Sequence, residues 1–433
     1  MAPVRILVVD DSVVIRKLLT TTLGEAPGLE VVSTASNGKI ALSKIPLCNP
    51  DVVILDVEMP EMDGIETLKR IRREAPRLPV IMFSTRTERG AVATIEALTS
   101  GASDYVTKPS NVGNVMLAMA RVREEMVPKI LALTGRRGAE PPAIASPAPA
   151  SSPAPSLARP APAKPAGTGP VATAASAART MQVPLVAVAS ATAPTQPITT
   201  SLPVVAAPAR PASTTGNPVV GEFARPQRLG PRLPVELVAI GASTGGPNAL
   251  AVVLGQLPRE FSVPIVIVQH MLASFTRHFA ERLARQCNIK IVEASAGEVL
   301  APGCVYIARG GHHLLVERRG GKACLALNQD ELENFCRPAV DVLFRSVAHS
   351  HGPSALAVVL TGMGHDGLLG SRAIHDAGGE VIVQDEASSV VWGMPGFVAR
   401  AGLASEVLAL DQIAGEIRRR VAGGALRALE AVP

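Results

Sequence analysis

The chain has 433 residues, more than one ordinary hydrophobic core accommodates; 47% hydrophobic, 18% charged and only 3% aromatic residues suit two α/β domains with connecting sequence. A formal net charge of +5 is small for this length and argues against nucleic-acid binding, although unpaired arginines gather near the end at Arg418, Arg419 and Arg420. No stretch approaches the roughly 20 uninterrupted apolar residues of a spanning helix, no signal peptide or anchor is read, and five cysteines without a C-x-x-C pair give neither a disulfide framework nor a zinc site, so a reducing cytoplasm is the expected compartment.

Residues 4–122 alternate short apolar runs with amphipathic stretches. Ile6-Leu-Val-Val, Val31-Val32, Val52-Val-Ile-Leu, Val80-Ile-Met-Phe and Tyr105-Val106 are predicted strands with helices between them. Five βα units with right-handed crossovers make a flavodoxin-like parallel sheet, whose ligands bind beyond the carboxyl ends of its strands. Those ends carry Asp10 and Asp11, then Asp56, then Ser84, then Lys108. Clustered carboxylates repel one another unless a hard cation such as Mg²⁺ sits among them. Asp56 is then a nucleophile toward a phosphoryl donor, with Lys108 neutralising the transferring oxygens and the Ser84 hydroxyl bonding the bound phosphoryl group. Singly each residue has a plainer reading: an Asp pair after a strand caps a helix, and Asp63-Gly64 is a turn.

Val8-Val-Asp-Asp-Ser, Leu55-Asp-Val-Glu-Met-Pro-Glu-Met-Asp-Gly and Val106-Thr-Lys-Pro resemble the receiver domain of bacterial two-component response regulators. The resemblance implies phosphorylation at Asp56, Mg²⁺ held by Asp10, Asp11, Asp56 and the Glu58 carbonyl, Ser84 and Lys108 reading the phosphoryl group, and Tyr105 as the switch aromatic.

Residues 135–232 are Ala, Pro, Ser and Thr with scattered Gly, without a period that buries a face, and are expected to be a disordered linker. The apolar island Val183-Pro-Leu-Val-Ala-Val-Ala is either a short docking segment or solvated chain.

Residues 233–425 open with Val235-Glu-Leu-Val-Ala-Ile-Gly-Ala-Ser-Thr-Gly-Gly-Pro, a strand running into a glycine-rich turn. Gly241-x-Ser243-x-Gly245 reads either as a nucleophile elbow or as a phosphate-cradling turn. A dinucleotide site wants an acid after the second strand, whereas Ile265-Val-Ile-Val ends in Gln269-His270, and an activated serine needs a histidine. Asp366, in the glycine-rich loop after Leu356-Ala-Val-Val-Leu, is the expected orienter of that base. The order Ser, His, Asp differs from the lipase order and argues against that fold while keeping its chemistry; the fold expected for this segment is a doubly wound, mostly parallel α/β sheet. His312-His313 and His349-x-His351 lack a third ligand and are assigned surface or turn roles; His365 shares a loop with Asp366 and cannot easily face it.

Gly241-Ala-Ser-Thr-Gly-Gly, Gln269-His-Met, Arg337-Pro-Ala-Val-Asp-Val-Leu-Phe, Thr361-Gly-Met-Gly-His-Asp-Gly and Val391-Trp-Gly-Met-Pro-Gly resemble the catalytic domain of the chemotaxis protein-glutamate methylesterases, across about 190 residues. The resemblance implies Ser243 as nucleophile, His270 as base, Asp366 as orienter and the Met363 main-chain N–H as oxyanion donor, with no cofactor in this domain. It also implies a phosphorylation-activated enzyme that removes methyl esters from glutamates on the cytoplasmic helices of chemoreceptors and deamidates certain receptor glutamines, with a chemotaxis-type histidine kinase as phosphodonor. The alternatives are a hydrolase for another ester or amide, and a module whose turn holds an anion or nucleotide. The linker is longer than the resemblance leads one to expect.

Overall fold

The computed structural model describes residues 2–85, 87–109, 115–135 and 233–430, so the predicted linker lies outside the described residues except at Gly135. The first sheet holds β1 (Val4–Val9), β2 (Leu29–Ala35), β3 (Val52–Asp56), β4 (Val80–Ser84) and β5 (Asp104–Thr107), in the order β2-β1-β3-β4-β5 and parallel throughout. Val52, Val53, Ile54 and Leu55 are all fully buried, which demands helical cover on both faces. That cover is α1 (Val13–Gly24), α2 (Gly38–Cys48), α3 (Gly64–Glu74), α4 (Glu88–Thr99) and α5 (Val115–Leu133). Ser12, Asn37, Asp63 and Thr87 each accept a first-turn N–H, which starts a helix close behind a strand end. Asp63 is therefore a helix cap as well as the turn residue expected beside Gly64.

The second sheet is built from β6 (Leu237–Ala242), β7 (Ile265–Gln269), β8 (Lys290–Glu293) and β9 (Cys304–Ile307). A hairpin of β10 (His313–Arg319) and β11 (Lys322–Asn328) stands apart, and β12 (Ala355–Val359), β13 (Glu380–Gln384) and β14 (Glu406–Leu408) return to the sheet. Its order is β14-β13-β12-β6-β7-β9-β8, again parallel. The helices are α6 (Gly246–Gly255), α7 (Ala273–Gln286), α8 (Val340–His351), α9 (Leu368–Asp376), α10 (Met394–Arg400) and α11 (Leu410–Glu430). The chain leaves β6 toward β7 on one side and returns to β12 on the other. The crevice at their carboxyl ends is a topological switch point, as is the one beside β1 in the first sheet.

Two expectations from the sequence are corrected. Arg419 and Arg420 are not unpaired: Arg420 is buried on α11, where it binds Glu380 at the start of β13 and, through Nε, Glu416 at 2.6 Å, and Arg419 also pairs with Glu416. His313 and His351 are buried and not surface residues. His313 Nδ1 accepts the Ala339 N–H at 3.2 Å, which leaves Nε2 to donate to the Glu331 carbonyl at 2.9 Å.

The two sheets' helices meet, α4 packing on α6 and α7. At this seam the residues of β5 and its approach reach the loops behind β6 and β7. Ser103 O accepts the Gly245 N–H at 3.0 Å, the Thr244 hydroxyl donates to Asp104 Oδ2 at 2.5 Å, and the Leu272 N–H donates to the Tyr105 hydroxyl at 3.3 Å. The buried Tyr105 ring lies 4.8 Å from that of Phe275.

Candidate functional site

In the first sheet one carboxylate oxygen from each of Asp10, Asp11 and Asp56 lies within 4.8 Å of the others. Lys108 Nζ bridges Asp10 Oδ2 and Asp56 Oδ2, at 2.8 Å each. Burial pushes the Asp56 carboxyl up to about 6, against the pull of Lys108 and with some help from the Asp10 charge. Asp10 Oδ2 is buried, and its one partner is the Lys108 ammonium. Three clustered carboxylates are the donor set of a hard divalent cation, and the residues fit Mg²⁺. Ser84 is not turned toward the acids here; its hydroxyl donates to the Gly90 carbonyl at 3.2 Å. The Glu58 side chain faces Arg89 at 3.6 Å, which leaves only its backbone for the cluster.

In the second sheet Ser243 directly follows β6, and Gly245 takes φ +78, the left-handed value that the turn into α6 requires. The Ser243 N–H is held by Thr361 O at 3.1 Å and its carbonyl by Gln269 Nε2 at 3.0 Å, so the Ser243 backbone is braced by the ends of both neighbouring strands. Gly362 lies so close that a Cβ there would stand 2.9 Å from Ser243 Cβ and 2.3 Å from Met394 Sδ. Among the described residues the Thr244 and Met363 N–H groups donate no hydrogen bond, and both belong to the loops flanking Ser243. The residue after an elbow serine is a usual oxyanion donor, one that the sequence reading left out.

His270 Nε2 lies 2.7 Å from Asp366 Oδ2. Asp366 is anchored at the N-terminus of α8, where Oδ2 accepts the Val340 N–H at 2.6 Å and Oδ1 accepts the Asp341 N–H at 3.0 Å, the Gly367 N–H at 3.0 Å and Asn334 Nδ2 at 2.8 Å. Burial works against its charge, yet His270 and the helix-end N–H groups hold the carboxyl below its ordinary range. Burial also works against the imidazolium, but the bond to Asp366, with help from the Cys336 contact, pushes His270 up to about 10. Asp341 beside them, unlike Asp366, is pushed up to about 6 by burial and by the Asp366 charge. His270 Nδ1 faces Cys336 Sγ at 3.6 Å, and Ser243 Oγ makes no hydrogen bond among the described residues. Catalytic hydrogen bonds often close only when substrate arrives. His365 packs edge-on against Phe397, away from this pair.

The structure thus brings Asp10, Asp11, Asp56 and Lys108 into one cluster and His270 and Asp366 into another, with Ser243 and Met363 on the adjoining strand ends. Sequence reasoning missed Asn334 and Cys336, which carry no motif. It also missed the placement of α8, although Val340 and Asp341 lie in a stretch already singled out.

Residues 238–417 match the family model described as CheB methylesterase, and residues 6–120 match the response regulator receiver domain. A protein-glutamate methylesterase/protein-glutamine glutaminase of Trichodesmium erythraeum (strain IMS101) is 43% identical over 417 residues, covering 96% of this chain and 99% of the relative. One of Nocardioides sp. (strain ATCC BAA-499 / JS614) is 46% identical over 422 residues, with 98% and 96% covered. Among solved structures, the Thermotoga maritima CheB methylesterase catalytic domain is similar with a TM-score of 0.42 and 39% identity, over 43% of this chain and 99% of that one.

Proposed function

Because the chain belongs to the family of CheB methylesterases that carry a response regulator receiver domain, we propose that it hydrolyses γ-glutamyl methyl esters on the cytoplasmic helices of chemoreceptors, releasing methanol, and deamidates receptor glutamines. The observation that carries this reading is the His270–Asp366 pair, 2.7 Å apart, at strand ends flanking a glycine-bounded serine. Ser243 Oγ attacks the ester carbonyl as His270 takes its proton, and the oxyanion that forms accepts the N–H groups of Thr244 and Met363. His270 returns the proton to the departing methoxide, and the Ser243 acyl bond breaks when water, deprotonated by the same imidazole, adds to it and yields the glutamate. With a glutamine the leaving group is ammonia. Asp366 keeps the ring oriented throughout, its own charge fixed by the N-terminus of α8.

Control runs through the receiver, residues 4–122. Asp10, Asp11, Asp56 and the Glu58 carbonyl would hold Mg²⁺, which when bound supplies neutralising charge for the incoming phosphoryl group. Asp56 accepts that group, and Lys108, freed from its ion pair with Asp56, turns to the new oxygens along with the Ser84 hydroxyl. Lys108 directly follows β5, so this movement loosens the hold of Ser103, Asp104 and Tyr105 on the Ser243 and His270 loops. The phosphodonor is a chemotaxis-type histidine kinase and the compartment is the cytoplasm, where that kinase and the receptor helices are found. Among the described residues no helix is long and apolar enough to cross a membrane.

Methanol release from a methylated receptor fragment, with and without acetyl phosphate and Mg²⁺, tests the reading. Release that rises with the phosphodonor is expected. If no methanol appears while a fluorophosphonate still labels Ser243, the enzyme acts on another ester or amide; if neither occurs, the glycine-rich turn is a binding module.

A further inference from the structure

Between β11 and α8 the chain makes a tight turn whose feet hydrogen-bond in both directions: Cys336 N–H to Glu333 O at 2.9 Å and Glu333 N–H to Cys336 O at 3.2 Å. Its two central residues, Asn334 and Phe335, both take positive φ, 52° and 61°, the hand of a type I′ turn. Asparagine tolerates that conformation. The second position is where glycine belongs, and a phenylalanine there sits in backbone that bulky residues rarely adopt. No packing offsets this cost, because Phe335 is 97% exposed, the most exposed large hydrophobic among the described residues.

The rest of the turn is tied down, and to the catalytic groups. Glu333 forms a two-point ion pair with Arg345 of α8, at 2.5 and 2.6 Å. Asn334 Nδ2 donates to Asp366 Oδ1 at 2.8 Å and to Asp341 Oδ2 at 2.9 Å, while Cys336 Sγ faces His270 Nδ1 at 3.6 Å. The residues on either side of Phe335 therefore reach inward to the triad acid and the triad base, and the ring between them stands out into solvent at the mouth of the same site. The ring itself is unpacked, but the backbone that carries it is already held by its neighbours, so the turn needs no further ordering when the ring makes an anchoring contact.

We propose that Phe335 is a specificity-determining residue, an apolar contact for the face of the substrate helix next to the esterified glutamate. This rests on the methylesterase reading above, which makes the substrate an α-helix. On a helix the side chains three and four positions from the ester share its face, so an apolar residue there meets Phe335 as the ester enters. Leu332 on the same loop, and Met363 and Leu369 on the loop and helix after β12, are exposed apolar side chains as well.

The experiment uses the full chain activated with acetyl phosphate and Mg²⁺, and compares two substrates: a methylated receptor fragment and the small ester p-nitrophenyl acetate. In Phe335→Gly the turn keeps its conformation, because glycine accepts the positive φ. The ratio of kcat/KM for receptor fragment over small ester should fall about tenfold, chiefly through KM for the fragment, with the melting temperature equal to or above wild type; one lost apolar anchor is worth on the order of that factor. Phe335→Leu should recover part of the ratio. A ratio within twofold of wild type in Phe335→Gly would overturn the inference, and so would a parallel loss on both substrates, which would place Phe335 in support of the triad. Failure of the wild type to release methanol would instead overturn the methylesterase reading and the inference built on it.

Discussion

Asp56 and Asp366 are the same residue at the same kind of place, buried to 3% and 2% exposure at the carboxyl ends of parallel sheets, yet their acidities move in opposite directions. Asp56 has one ammonium, a long contact of 3.4 Å from the Glu58 N–H, and a like charge in Asp10 beside it; burial prevails and the carboxyl rises to about 6. Asp366 meets the same burial, but His270, Asn334 and three main-chain N–H groups, two of them from the N-terminus of α8, surround it and the carboxyl stays below its ordinary range. Donors oriented at the anion, and not burial alone, decide which buried acid holds its charge. The difference suits the two roles proposed for them: an orienter must remain ionised beside its histidine, while an acceptor beside further carboxylates is ready for a cation and a phosphoryl group.

The sharpest way to break the comparison is to remove the charge that is held. Asp366→Asn faces several N–H donors with an amide that accepts on one side only, and it should cost about 3 kcal/mol of stability in denaturant unfolding. It should also lower methanol release by at least about 100-fold, and Ser243→Ala and His270→Ala should each lose on the order of 1,000-fold or more. A folded Ser243→Ala chain keeping a tenth of wild-type activity would remove Ser243 from the nucleophile's role.

The contrasting change is Asp56→Asn, which takes away a charge that burial already disfavours. Without Mg²⁺, stability at neutral pH should rise, by up to about 3 kcal/mol, while activation by acetyl phosphate with Mg²⁺ disappears. Incorporation of acid-labile phosphate into Asp56→Asn, with undiminished activation, would require another acceptor.

The comparison extends to the pH dependence, where the signs differ. Asp366, depressed in the fold, contributes stability that is present above its unfolded value and lost as pH falls through its folded one. Asp56, raised, binds its proton more tightly in the fold, so without Mg²⁺ the wild type should lose stability relative to Asp56→Asn as pH rises from about 4 to 6. His270 is also raised: the stability of its pairing with Asp366 is complete below about 6.5 and declines as pH rises toward 10. The difference between wild type and His270→Gln in chemical unfolding should shrink across that range, and a constant difference would mean that the imidazole is neutral throughout. Because general-base catalysis needs the neutral ring, activity should increase with pH over the same interval.

Much of both sites was legible from local pattern. Asp10, Asp56, Lys108, Ser243, His270 and Asp366 each follow an apolar run of strand length, and parallel strands joined by right-handed crossovers must bring such ends together whatever the details of packing. That is why the residues, and not only the fold class, were readable in chain order. The hairpin β10–β11 was not read, because it lies off the main sheet and its apolar runs carry no chemistry. The contact of Asp104 with Thr244 joins positions 140 residues apart, and nothing local in either stretch encodes it. Asn334 and Cys336 came from a loop whose sequence gives no sign of the triad it touches, and the capture of Asp366 by the first N–H groups of α8 depends on where that helix starts in space. Residue identity and a residue's place at the end of a strand are short-range properties that sequence determines by itself. Which carboxylate keeps its charge, which nitrogen of His270 meets Asp366 and which ring is left in solvent are set by desolvation and through-space donors, and those exist only once the tertiary structure has closed around them.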